Sequence, residues 1–260
     1  FMQRALIAGL LLGILLASLG VIVTLRRMAF FGEGIAHASL AGIAIALLSG
    51  MNSLPVAILW SVILALLIFV LEKRTQLSTD AVIGIFFTFS MAIGVVIIHL
   101  IPGYQPELIS FLFGSILSIS VTDVFVITGC TFLILSWYYV SRQQLLFLSL
   151  SEEQAIVSGV PVQVQTALLY VALAIATVLG VKMLGIILIS ALLILPASTS
   201  QLFSASLRHH VILSILIAEC TIFFGLALSF YLDLPSGATI VLLGSILFFV
   251  VSLKRLFRWS

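Results

Sequence analysis

The stretch Phe31-Gly32-Glu33-Gly34-Ile35-Ala36-His37-Ala38-Ser39-Leu40 leads into an apolar run over residues 34–50, and its reading decides the class of the whole chain. The run is long enough to cross a bilayer as a helix, yet the stretch carries a carboxylate and an imidazole. An ionisable group at bilayer depth costs from a few to more than about 10 kcal/mol, so such residues face a pathway or a partner. Four residues apart on a helix, Glu33 and His37 lie one above the other and converge on one point. The pair therefore forms a half-site for a divalent metal ion, or else a pair of hydrogen-bonding anchors to neighbouring helices.

Outward from this stretch the same apolar pattern recurs. The 260 residues are 63% hydrophobic and 8% charged, with a formal net charge of +2. Apolar segments over 5–25, 34–50, 55–71, 81–101, 122–140, 162–181, 184–203, 211–232 and 236–253 each approach the roughly 20 residues that a spanning helix needs. The expectation is an all-α, polytopic membrane protein with about 8–9 transmembrane helices in one domain over residues 1–260. The first segment is longer than the apolar core of a signal peptide, ends at Arg26 and Arg27 and leads into no polar domain, so it reads as a retained span. Residues 108–120 are apolar but short and read as a re-entrant or interfacial helix. Cys130 and Cys220 sit inside apolar runs, match no zinc or redox spacing, and read as packing residues.

Strict alternation of the spans puts Arg26, Arg27, Lys73, Arg74, Arg142, Arg208, Lys254, Arg255 and Arg258 on one side, leaving Arg4 and Lys182 as exceptions. Because cytoplasmic loops carry the excess of Lys and Arg, this predicts an outer amino terminus and a cytoplasmic carboxyl terminus. A continuous helix from Arg27 would carry His37 about 15 Å in, near the midplane, with Glu33 one turn closer to the cytoplasm. Glu219, nine residues beyond His210, reaches a similar depth, so it is a pathway candidate, or else pairs with a polar group such as Ser198 or Gln201. His99, Glu107, His209 and His210 flank surface loops and read as solvated.

The longest polar interruption spans residues 141–161. Within it Ser151, Glu152, Glu153 and Gln154 form a helix-start pattern, with a capping serine, two carboxylates at the positive end of the helix dipole, and Gln154 where a capping box places it. Gly159 and Pro161 predict its end. A short capped helix on the arginine-rich face suits docking of a cytoplasmic partner; a plain interfacial loop is the alternative. No lysine follows a glycine, which rules out a phosphate-binding G-x-x-x-x-G-K-[ST] loop, and neither HExxH nor GxSxG occurs. The chain is thus read as a transport protein and not an enzyme.

Several stretches together resemble a known family, the permease subunits of bacterial ABC importers for zinc and manganese. They are Leu25-Arg26-Arg27-Met28, the stretch from Phe31 to Leu40 quoted above, Thr79-Asp80-Ala81-Val82-Ile83-Gly84-Ile85, Leu112-Phe113-Gly114-Ser115, Leu192-Leu193-Ile194-Leu195-Pro196-Ala197 and Asp233-Leu234-Pro235-Ser236-Gly237. The resemblance covers essentially the whole chain. It implies a type II importer-like, homodimeric permease in the bacterial plasma membrane, paired with a cytoplasmic ABC ATPase dimer and supplied by an extracytoplasmic metal-binding protein. It further implies that Glu33 and His37 line the ion path, with Asp80 as another pathway candidate. It places a coupling helix at about 149–161, through Ser151, Glu152, Glu153, Gln154, Ala155 and Gly159. Besides the second copy, these protein partners and the lipid bilayer, no nucleic acid is expected, and no permanently bound cofactor; Zn2+ or Mn2+ is cargo.

The family more often has Asp at the position of Glu33, and the extra methylene changes reach by about 1.5 Å. The stretch from Phe31 to Leu40 and Leu71-Glu72-Lys73-Arg74 look closer to the zinc branch. The reading carried forward is a metal-importing permease; its competitor is a proton-coupled secondary transporter that relays protons through Glu33, His37 and Glu219.

Overall fold

The computed structural model describes residues 2–75, 77–101 and 121–257, so the segment 108–120, Glu107 and Arg258 lie outside the described residues. Among the described residues there are helices and no strands. In chain order the helices are α1 (Met2–Leu25), α2 (Phe30–Ser49), α3 (Ser53–Arg74), α4 (Thr79–Leu100), α5 (Val121–Leu150), the short α6 (Glu152–Val157), α7 (Val162–Leu184), α8 (Ile186–Gln201), α9 (Leu207–Leu232) and α10 (Ser236–Phe257). Eight of them are long and apolar enough to cross a membrane. The ninth expected span is α8, whose 16 residues extend only about 24 Å, short of a hydrocarbon core of about 30 Å.

Helices α1, α2 and α7 form the inside of the bundle: about 70% of each apolar window is buried, against 17–28% for α3, α4, α5, α9 and α10. The outer helices present large apolar side chains such as Phe125, Phe132, Phe224 and Phe230 on their free faces. A water-soluble fold inverts this arrangement, because it must hide apolar area from water; a bilayer removes that requirement.

With little hydrophobic force between helices in lipid, close packing at small residues holds the bundle together. A Cβ added at Gly20 of α1 would collide with the Leu193 carbonyl of α8, and one at Gly34 of α2 with the Ile83 side chain of α4. One polar thread crosses three helices: Trp60 Nε1 of α3 donates to Ser90 Oγ of α4 (2.8 Å), and Ser90 Oγ donates to the Ala38 carbonyl of α2 (2.6 Å). The reversal from α7 to α8 takes a single residue, Gly185, at φ +81°, a conformation that side chains with a Cβ disfavour.

Two charged features differ from, or explain, the sequence expectations. Lys182, one of the two exceptions to the positive-inside pattern, is paired with Asp123 of α5 at 2.6 Å, so its charge is compensated where it sits. His210 is not solvated: it is buried, with Nε2 2.9 Å from the Ala197 carbonyl near the end of α8. The same carbonyl also accepts from Ser200 Oγ within α8 (2.9 Å), so the His210 contact ties the start of α9 to the last turns of α8.

Candidate metal-path site

Helix α2 begins at Phe30, after a turn in which Arg27 takes φ +58°. Glu33 thus falls in the first turn, and His37 lies only about 11 Å along a helix about 30 Å long. A helix continuous from Arg27 would place His37 deeper; the turn over residues 26–29 breaks that continuity. Glu33 therefore stands at the amino-terminal end of α2. Asp80 has the same relation to α4, which starts at Thr79 behind the Ser78 cap.

The two helix starts meet. Glu33 and Asp80 line one groove of about 300 Å³ together with Phe30, Gly34, Ile83, Gly84 and Phe87. Gly34 lets the backbones approach, since any side chain there would meet Ile83. Both carboxylates are exposed, and His37 is half-buried with its ring 5.3 Å from that of Phe87, edge on. The structure therefore brings Asp80 to the Glu33 side of α2, which spacing alone did not reveal. Among the described residues no group of three or more His, Cys, Asp or Glu side chains converges tightly enough to hold a metal ion. One chain presents a carboxylate and a half-buried imidazole on α2, with a further carboxylate across the groove.

Glu219 is elsewhere. It lies in the α1–α9 contact, where a Cβ at Gly13 would be 2.6 Å from its Oε1, and that oxygen is buried without a hydrogen-bond partner. Neither Ser198 nor Gln201 pairs with it; Ser198 precedes the turn that ends α8, and Gln201 is exposed.

On the other side of the chain reversal, α6 forms at the predicted place. Ser151 Oγ accepts from Gln154 N–H (3.4 Å), Glu152 and Glu153 occupy the first turn, and Ala155 is fully buried. Ile156 and Val157 project outward at 60% and 89% exposure. Gly159 closes the segment at φ +75°, and Val160 N–H bonds back to the Ala155 carbonyl. Lys73, at the end of α3, reaches Glu152 at 3.8 Å.

Sequence reasoning missed the neighbouring Glu72. Its Oε1 accepts from Thr79 Oγ1 and its Oε2 from the Tyr170 hydroxyl, each at 2.5 Å. Next to two cations Glu72 reads as an ordinary surface charge, and Tyr170 as one aromatic among many in an apolar run. Only a hydroxyl buried in a span, which must find a partner, hints at the contact.

Comparison with known proteins agrees with this architecture. Residues 1–255 match the ABC 3 transport family. The chain is 32% identical to the high-affinity zinc uptake system membrane protein ZnuB of Haemophilus influenzae, over 96% of both chains. It is 34% identical to the manganese transport system membrane protein MntC of Halalkalibacterium halodurans, over 95% of this chain and 85% of that one. Among solved structures, PsaBC from Streptococcus pneumoniae in complex with Fab superposes with a TM-score of 0.85 at 31% identity, covering 96% of this chain and 90% of that chain. The protein with the open Glu33–His37 face thus belongs to the ABC 3 transport family and is a multi-pass membrane permease subunit of a bacterial metal-uptake ABC transporter.

Proposed function

We propose that two copies of this chain form the path of an ATP-driven importer for Zn2+ or Mn2+, with the α2 faces apposed so that each copy contributes Glu33 and His37. The observation that carries this reading is the two-ligand face: an exposed carboxylate and a half-buried imidazole one turn apart, where among the described residues no third ligand closes a site. Two such faces supply two carboxylates and two imidazoles, enough for a four-coordinate shell. A shell split between copies releases its ion when the copies separate, as a transport site requires.

Asp80 serves in this reading as the next carboxylate on the way inward, because it shares the groove with Glu33 and starts a helix that follows the basic residues Lys73 and Arg74. Glu219 stays outside the route, with one carboxylate oxygen buried against Gly13. A separate cytoplasmic ATPase dimer provides the energy and docks on α6, whose exposed Ile156 and Val157 give an apolar contact in an aqueous setting. An extracytoplasmic binding protein delivers the metal, which is cargo and not a resident cofactor.

The test is flux of radiolabelled zinc and manganese into vesicles that hold this chain with its ATPase. ATP-dependent uptake that disappears in His37→Ala supports the reading. Uptake driven by an ion gradient with no ATPase present would replace it with proton-coupled secondary transport.

A further inference from the structure

We infer that Glu72 and Tyr170 are positioning residues that tie the docking helix α6 to both walls of the metal groove, an assignment that rests on the permease reading above. The tie starts at α6, where Glu152 meets Lys73 at the end of α3. Lys73 also lies over the Phe69 ring, 5.1 Å from its centroid. One residue before Lys73, the Glu72 carboxylate divides its two oxygens between two helices. Oε2 accepts from Tyr170 of α7 and Oε1 from Thr79 at the start of α4.

Each branch ends within two residues of a groove carboxylate. Tyr170 is fully buried, and its ring packs between Phe69 (centroids 6.1 Å) and Phe31 (4.8 Å), the latter two residues before Glu33 on α2. Thr79 immediately precedes Asp80. A displacement of α6 is thus passed by one carboxylate to the wall that holds Glu33 and to the wall that holds Asp80. The two hydroxyl bonds are charge-assisted and sit at the edge of an apolar bundle, where replacing them with water is poorly compensated. A carboxylate with each oxygen bonded to a different helix acts as a strut, and α6 drives it chiefly through its short backbone connection over residues 158–161 into α7, the helix of Tyr170; the exposed Lys73–Glu152 pair, too weak and too easily screened to transmit force alone, adds a second contact at the α3 end.

Tyr170→Phe removes one hydroxyl and keeps the ring between Phe31 and Phe69. In the full complex with its ATPase in vesicles, the metal moved per ATP hydrolysed is expected to fall about tenfold, the scale set by losing one hydrogen bond to a charged group. ATP hydrolysis and equilibrium zinc binding should stay at their wild-type values. Glu72→Gln should give the same uncoupling, and the double variant Glu72→Gln/Tyr170→Phe should be no worse than either single one, because both break one link. A wild-type metal-to-ATP ratio in Tyr170→Phe overturns the assignment. So does a parallel loss of hydrolysis, transport and melting temperature, which would mark a merely structural contact. Ala155→Pro separates this from the reading beneath it: if that variant transports normally, docking at α6 itself is wrong, whereas loss of both stimulated hydrolysis and uptake in Ala155→Pro with a normal Tyr170→Phe leaves the docking helix standing and removes the strut.

Discussion

The α2–α4 groove and the α1–α9 contact each hold a glutamate in an apolar bundle, and they treat it in opposite ways. Glu33 stands in the first turn of its helix, open, with Asp80 across the groove and His37 one turn on. Glu219 stands mid-helix against a glycine, with one oxygen buried and unpaired. Glycine does a different job in each place. At Gly34 it brings two helices close enough for their carboxylates to share a space; at Gly13 it vacates the volume that a carboxyl fills. A carboxylate in an apolar bundle therefore gains its meaning from its neighbours and its access, not from its depth.

The sharpest way to break this contrast is to neutralise both sides. His37→Ala or Glu33→Gln should lower metal uptake by at least about 100-fold, since even losing an outer-shell partner of a metal ligand costs 10- to 100-fold. Glu219→Gln should leave uptake near wild type, and dimer assembly should survive in all three, as read by flux and by size-exclusion chromatography in detergent. Equal losses at Glu33 and Glu219 would erase the distinction between the two regions.

Ala155→Pro probes whether the groove answers to the docking helix. Proline inside α6 should cost about 3 kcal/mol of local helix stability. Stimulated ATP hydrolysis and uptake should fall together while zinc binding to the permease, measured by calorimetry, is retained.

Gly13→Ala addresses the packed side alone. The added methyl lies 2.6 Å from Glu219 Oε1 and from Ile222 Cδ1, a distance at which something must shift. Overpacking of this kind costs about 1–3 kcal/mol, so a lower melting temperature with unchanged selectivity is expected. The combination Gly13→Ala/Glu219→Ala should recover part of the loss, because it removes the group that the methyl meets.

The smallest effect concerns cargo preference. Glu33→Asp shortens reach by about 1.5 Å and should widen the shared site, shifting the zinc-to-manganese uptake ratio toward manganese by a few-fold, as expected when a tight four-ligand shell is loosened. An unchanged ratio, measured with the same delivering protein, would remove Glu33 as a selectivity determinant.

Much of this was legible in the residues. Apolar runs near 20 residues announce spans because lipid leaves backbone groups no partner but the helix itself. The i, i+4 relation of Glu33 and His37, and the capped start at Ser151, are local patterns that hold wherever the helices end up. Tertiary structure alone decided which distant residues share a space. That Asp80 joins Glu33 depends on how closely α4 approaches Gly34; that a Glu219 oxygen is buried depends on Gly13, more than 200 residues away in the chain; and that Glu72 reaches Tyr170 depends on α3 and α7 lying side by side. Periodicity specifies the face of a helix on which a residue lies, but the neighbour that this face meets is set by the packing of the whole bundle, and for an ionisable group in an apolar setting the neighbour determines the chemistry.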